Sequence, residues 1–525
     1  MKPKIHCAIA LAPLVISTLG SHFSTGYAQG SLMPPGPPAP TMLTLNQIEP
    51  RTPISSLPYT ISVPGSYYVT TNLTGLPGSA GITIATGNVT LDLKGFALQG
   101  LATSLDGIDI NASCINVTVR DGNLSGWGGF GVYSPASNVT LESLSISGTY
   151  AGIFLTGSGV VSKCNCKDNS QNGIYVNSGK VTSCLAPNNG GGGINLSSGT
   201  VLDCTCNGDA GYGIIANSGT VSSCTCNNDT GYGITTVSGT VSACTVNNDY
   251  NGIYISSSGS ASDCVADNNL TNGIYAVSGT VSGCTANNNK NNGIEINDPG
   301  TVIGCTADGN LSSGILAGNI TAVGNNNSNV GYCTIVDCNA CGNANGIYAD
   351  VNTTISGCNA STNDGGGIYC IGSSCTSIKD CTTSGNYYDG IAVLNGSSII
   401  GCTANNNWGF GSSGILVPVG CTVKDCTANG NDEDGINATS NCQIVGNTCS
   451  MNKMYGIELS NIQNRVDENT VGFNTSFGIY PDFTDAGNVI TRNVSPGAGY
   501  GNLGGNNDYA PIQTPNTATS PWANF

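Results

Sequence analysis

Acids, bases and thiols recur in this 525-residue chain at fixed steps, and the steps decide what chemistry they could do. Asp92, Arg120 and Glu142 follow Val-Thr-Leu, Val-Thr-Val and Val-Thr-Leu, an acid-base-acid series at equivalent outward positions, with Asp109 and Asp121 near Arg120. Such a series makes either a surface ion-pair ladder or one catalytic cluster. Asp209, Asp229 and Asp249, twenty residues apart, would stack as a short acidic column able to hold Ca²⁺ between turns of the chain. The Gly-Gly-x-Gly-x-Asp calcium repeat is absent, and Ca²⁺ is the one cofactor the sequence admits. Glu295, with Asp298 close by, is the candidate for two-carboxylate glycoside cleavage.

Histidine chemistry is excluded once the N-terminus is considered. Lys2 and Lys4, the apolar stretch Ala8 to Leu19 and the small residues around Gly26-Tyr27-Ala28 predict a signal peptide over residues 1–28, hence export. Both histidines, His6 and His22, lie inside it, so the processed chain would lack Ser-His-Asp triads, Cys-His nucleophiles and His-ligated zinc.

Of the 25 cysteines, all but Cys7 lie beyond that peptide. Cys164, Cys184, Cys204, Cys224, Cys244, Cys264, Cys284 and Cys305 recur once per step, with a second rank at Cys166, Cys206 and Cys226. In-register neighbours would hold their Cβ atoms too far apart for an easy bridge, which predicts a buried thiol ladder. Cys333, Cys338, Cys341, Cys370, Cys375, Cys421 and Cys442 are the better disulfide candidates.

The element that positions all of these is a repeat of roughly 21 residues: Asn-Gly-Ile-Tyr, a Ser-Gly turn, Thr-Val-Ser-x-Cys-Thr, then Asn. Its clearest copies start at Gly173, Gly193, Gly213, Gly233, Gly252, Gly273 and Gly293. Gly, Asn, Ser, Thr and Val are poor helix formers, and Val, Ile, Tyr and Thr favour strands. Ile174, Val176 and Val181 share the inward side; the parity flips near Ser183, so that Cys184 and Ala186 also face in. Each repeat is therefore a coil of three short strands, stacked in parallel at about 4.8 Å. The expectation is an all-β parallel β-helix solenoid of about 18 coils over residues 81–495, with a Pro-rich linker at 29–50, an N-terminal cap at 51–80 and a C-terminal cap at 496–525. Trp522 and Phe525 are expected to plug the last coil, Tyr59 to Val69 the first, and residues 318–332 to protrude as an Asn-rich loop. Asn runs such as Asn188-Asn189 and Asn287-Asn288-Asn289 would stack their amides along the rod.

Over most of residues 80–495 the chain resembles secreted right-handed parallel β-helix proteins of the pectin-lyase-like superfamily. Arg51-Thr52-Pro53-Ile54, Pro64-Gly65-Ser66-Tyr67-Tyr68, Asn88-Val89-Thr90-Leu91-Asp92-Leu93 and Pro521-Trp522-Ala523-Asn524-Phe525 are similar to a bacterial subgroup named for its fold. The resemblance implies that Arg120 could abstract a proton beside a uronate carboxylate with Ca²⁺ neutralising charge.

The residue after Gly-Ile is aromatic in many coils: Phe154, Tyr175, Tyr254, Tyr275, Tyr348, Tyr369 and Tyr480. One stripe of rings would either carry a linear polysaccharide or reflect strand propensity and neighbour stacking. A single outward Thr rank (Thr205, Thr225, Thr245, Thr285, Thr306) also admits an ice- or crystal-binding face. A net charge of −17 argues against nucleic acid and anionic membrane surfaces, and no segment after the leader is apolar enough to span a bilayer. The expectation is a secreted, monomeric rod that binds polysaccharide or serves a structural cell-surface role. The alternative is a lyase or hydrolase of a linear glycan, a uronate-containing one included.

Overall fold

The computed structural model describes residues 51–297, 299–318, 332–350, 352–370, 376–482, 487–497, 499–502, 506–514 and 519–525. The expected leader and linker, Asp298, Cys375 and nearly all of the 318–332 segment lie outside them. Every regular element among the described residues is a strand, and no helix there is long and apolar enough to cross a membrane.

Successive coils pair in parallel, with register shifts between Leu155 and Ser158 and between Ile255 and Ser258. Ile174, Tyr175 and Val176 face Ile194, Asn195 and Leu196, which face Ile214, Ile215 and Ala216. The outward residue after each Gly-Ile pair stays in register from Thr60 to Tyr480. Those pairings link about 20 coils, rather than the 18 expected. One further coil lies at the N-terminus, where strands Tyr59–Ile61 and Gly65–Val69, expected as a cap, already pair with Ile82–Ile84 and Val89–Asp92 of the next coil.

Two left-handed residues per coil turn the chain. Ser183, Asp203 and Ser223 have φ of 54°, 53° and 54°, which produces the parity flip after Val181. A second flip follows at Asn188 (57°), Gly208 (72°) and Asn228 (62°), so the residue after each points inward. The buried interior is an axial stack of Ile, Val, Leu, Ala and Cys. Asn169, Asn189, Asn269 and Asn289 form a polar ladder within it: Asn269 Nδ2 donates to Asn289 Oδ1 at 3.0 Å, and the Asn269 amide donates to the same oxygen at 2.9 Å. Burying amides is tolerable only because each is bonded along the axis.

At the C-terminus the expected ring plug is replaced by an amide. Asn524 is buried and its Oδ1 accepts the Asn493 N–H at 2.9 Å, while Trp522 stays 56% exposed, its ring 5.2 Å from the Arg492 guanidinium carbon.

Candidate functional site

The ring stripe exists, and its rings turn their faces to one another. Phe154 and Tyr175 stack at 4.5 Å, Tyr254 and Tyr275 at 5.1 Å with planes 8° apart, Tyr348 and Tyr369 at 6.1 Å and 3°. Parallel strands force this: residues one coil apart leave their backbone on the same vector, at ring-stacking distance. A ring inside a run therefore offers a sugar its edge, and only the ring that ends a run keeps a bare face. Tyr369 is such an end. Its in-register neighbour is Ala392, followed by Leu416, and beside it opens a cleft of about 310 Å³ lined by Tyr369, Ala392, Val393, Leu394, Leu416, Pro418 and Thr439.

Glu295 lies on the same column, between Tyr275 and Leu316. Its Oε2 accepts Asn272 Nδ2 at 2.8 Å and Asn292 Nδ2 at 3.0 Å. Two amides thus surround the carboxylate expected to work with Asp298, which lies outside the described residues.

Arg120 stands on a different column. Asp92, Arg120 and Glu142 are in register as expected. Arg120 Nη2 lies 3.2 Å from Asp92 Oδ2, which Arg51 approaches at 2.8 Å, and Lys163 lies 3.2 Å from Glu142. Asp109, expected beside Arg120, is on the ring column, paired with Thr83 and Tyr133, its carboxyl raised by burial. The column is thus an ion-pair ladder, one of the two arrangements the sequence admits, and Asp109 stands apart from it because it leaves its coil from another strand. A guanidinium already held by carboxylates is a poor candidate base.

Asp209, Asp229 and Asp249 form a column, but inside the core, 0%, 3% and 0% exposed. They occupy ladder positions filled by Asn in other coils. Asp209 Oδ1 accepts the Asn189 N–H at 2.7 Å and Asn189 Nδ2 at 3.0 Å. The Oδ2 atoms of all three are buried without a hydrogen-bond partner. A Cβ built on Gly193 would lie 2.7 Å from Asp209 Oδ2, against 2.8 Å from a Cβ on Gly173 to Asn189 Nδ2, so Oδ2 takes the place of an amide nitrogen. That packing leaves no room for an eight- or even six-oxygen calcium shell, and no metal-binding group of three ligands occurs among the described residues. The residues do not fit Ca²⁺. Burial pushes the carboxyls up, Asp209 to about 7 and Asp229 and Asp249 to about 8, against the N–H bonds that pull them down.

The thiols follow the ladder expectation. All described cysteines are free, and only Cys341 is more than marginally exposed. Cys338, expected in a disulfide, continues the thiol column; Cys333, Cys341, Cys370, Cys421 and Cys442 are likewise unbridged.

One constellation was not anticipated: the rings of Tyr387, Tyr388, Trp408 and Phe410 beside the carboxyls of Asp389, Glu433, Asp434 and Glu458. Its visible signals were the run Asp432-Glu433-Asp434 and the pair Trp408-Gly409-Phe410 within an Asn- and Gly-rich stretch.

A coiled, in-register parallel solenoid defines the class of protein. The right handed beta helix region family matches residues 65–215, 106–262, 320–471 and 367–508, more than half of the chain, and the protein belongs to that family. Among solved structures it is similar to tailspike protein 3 of bacteriophage CBA120, at 11% identity over 59% of this chain and 56% of the tailspike, with a TM-score of 0.33. It is similar to the mannuronan C-5 epimerase A-module of Azotobacter vinelandii, at 13% identity over 86% of this chain and 92% of that one, with a TM-score of 0.19. A third likeness is to the catalytic domain of a GH87 α-1,3-glucanase, at 12% identity over 62% and 59% of the two chains, TM-score 0.24. No curated protein matches the sequence.

Proposed function

We propose that the protein is exported and acts outside the cell as a monomeric rod that holds a linear polysaccharide along its ring column. The observation that supports this best is the bare face of Tyr369 at the edge of the 310 Å³ cleft, a space of the size of one or two sugar rings, walled by apolar side chains. A pyranose presents an apolar face of C–H groups to such a ring, while Thr439 and the ring hydroxyl can bond its rim. The amide-lined stretch around Glu295 would contact the same chain further along the column.

The test is retention on a panel of insoluble and soluble glycans. Binding should fall about tenfold in Tyr369→Ala, the loss of one stacking contact. It should fall also in Ala392→Tyr, which continues the stack and fills the cleft. Binding of no glycan, or binding indifferent to both variants, would remove this reading; new reducing ends or unsaturated product would move it to a hydrolase or lyase.

A further inference from the structure

We propose that the exposed rings Tyr388, Trp408 and Phe410, with the carboxylates of Asp389, Glu433 and Glu458, bind a cationic polysaccharide, one built of amino sugars with free ammonium groups. The inference rests on the glycan reading above and concerns the surface flanking the same column, where Glu458 stands in register after Leu416 and Asn437.

The rings come first. Phe410 is 98% exposed, Trp408 58% and Tyr388 53%, in a solenoid whose other rings are mostly covered by neighbouring coils. Tyr387 braces them, packing edge-on to Trp408 at 4.7 Å and to Tyr388 at 5.0 Å. The loop between them is fixed: the Trp408 N–H donates to Asn386 O at 2.9 Å, and Ser412 bonds back to Gly409 O through its amide at 3.1 Å and its hydroxyl at 2.6 Å. A large ring held 98% open to water by a braced turn contributes nothing to the core, which marks a surface that a ligand covers.

The carboxyls say what kind of ligand. The Ser413 N–H donates to Asp389 Oδ1 at 2.8 Å, which places Asp389 at the base of the loop. A Cβ built on Gly411, next to Phe410, would lie 3.6 Å from Glu433 Oε2. Tyr455 N–H and Asn437 Nδ2 bond Asp434, and Asn437 Nδ2 also bonds Glu458 on the next coil. None of these four acids has a cationic partner among the described residues. The four basic residues from 379 to 465 are each engaged elsewhere: Lys379 with Asp380, Lys424 with Asp425, Lys453 with Asp432 and Arg465 with Asp467. Crowding shows in Asp389, raised to about 6, and Asp434, raised to about 8, by burial first and by neighbouring carboxylates after it. A uronate would add a like charge here. A glucosamine unit would bring an ammonium to the carboxylates, and its C–H face and cationic edge would both suit the indole.

Titration of the full exported chain with a β-1,4-linked glucosamine oligomer and with its N-acetylated counterpart tests this. The free amine form should bind at least about tenfold tighter, and raised salt should erase the difference. Trp408→Ala should weaken both oligomers. Asp389→Asn with Glu433→Gln should abolish only the preference, with melting curves of all variants checked against the parent. Equal affinity for both oligomers, no binding of either, or a preference untouched by the double substitution would overturn the proposal. Tyr369→Ala separates it from the broader reading: if that variant loses neutral glycans yet keeps the glucosamine oligomer, both sites stand. Neutral glycans retained with no amine preference would leave the broader reading alone.

Discussion

The backbone N–H of Asp209 donates to the Oδ1 of Asp229 at 2.8 Å, the bond that one Asn makes to the next elsewhere in the ladder. A carboxyl thus stands where the fold repeats an amide, and its second oxygen sits at the place of an N–H₂ donor. Only a protonated Oδ2 can restore the missing donor. The folded groups therefore hold protons that unfolded aspartates, near 4, release. The linked stability is fully present below about pH 4 and is lost as pH rises through about 7 to 8, the folded values of Asp209, Asp229 and Asp249. Asp209→Asn, Asp229→Asn and Asp249→Asn combined should flatten the fall of melting temperature between about pH 5 and pH 9. A triple variant that melts along the parent's pH curve would refute the neutral-carboxyl account.

Asp467 should behave in the opposite way. Burial would raise its carboxyl, but Arg492, Arg465 and Thr491 bond it and bring it down to about 2. Its contribution is present above about pH 4 and is lost as pH falls toward 2. Asp467→Ala removes the buried carboxylate that Arg465 and Arg492 share, leaves Arg492 with Glu468, and should lower stability at neutral pH more than at pH 2, read in urea unfolding. Because Arg492 also faces Trp522, the same variant should change Trp522 fluorescence at the C-terminal coil.

How far the sequence could be read follows from what a repeat encodes. A constant step and parallel pairing fix axial neighbours, which puts Tyr254 and Tyr275 on one column in the sequence as in the structure. The inward turn of Asp209 was hidden, because a single left-handed residue, Gly208 at φ 72°, reverses parity and the spacing of twenty does not reveal it. Nearness in sequence puts Asp109 with Arg120, yet within one coil eleven residues separate two different faces. Ring faces were illegible for another reason: whether Tyr369 is covered depends on Ala392 one coil on, in a stretch where coil length varies. The same irregular lengths hid Glu433 from Asp389.

Thiol reactivity gives a direct check of the ladder. In the native chain, a small alkylating reagent followed by peptide mapping should modify Cys341 first among the described cysteines, since the others are buried. Cys224 and Cys244, whose sulfurs lie in the core with Cys224 N–H pointing to Cys244 Sγ at 3.5 Å, should react only after unfolding. Rapid native labelling of Cys224 would mean that the coils open locally.

Trp127 is the largest buried side chain, 1% exposed, with Nε1 donating to Leu98 O at 3.1 Å. Its space exists because neighbouring coils carry glycine: a Cβ on Gly100 would fall 2.5 Å from Trp127 Cδ2, and one on Gly81 2.7 Å from Cη2. Trp127→Ala should therefore cost about 3–5 kcal/mol, and Gly100→Ala about 1–3 kcal/mol by overpacking. Coils contact only their neighbours, so the loss should appear as early unfolding of the N-terminal coils rather than a shift of the whole transition. Hydrogen exchange resolves this: amides around Ile82 and Ile108, which flank the ring in adjacent coils, should exchange faster in Trp127→Ala, while those around Ile436 keep their protection. Uniform acceleration along the rod would show that the solenoid unfolds as one unit and that Trp127 supports every coil.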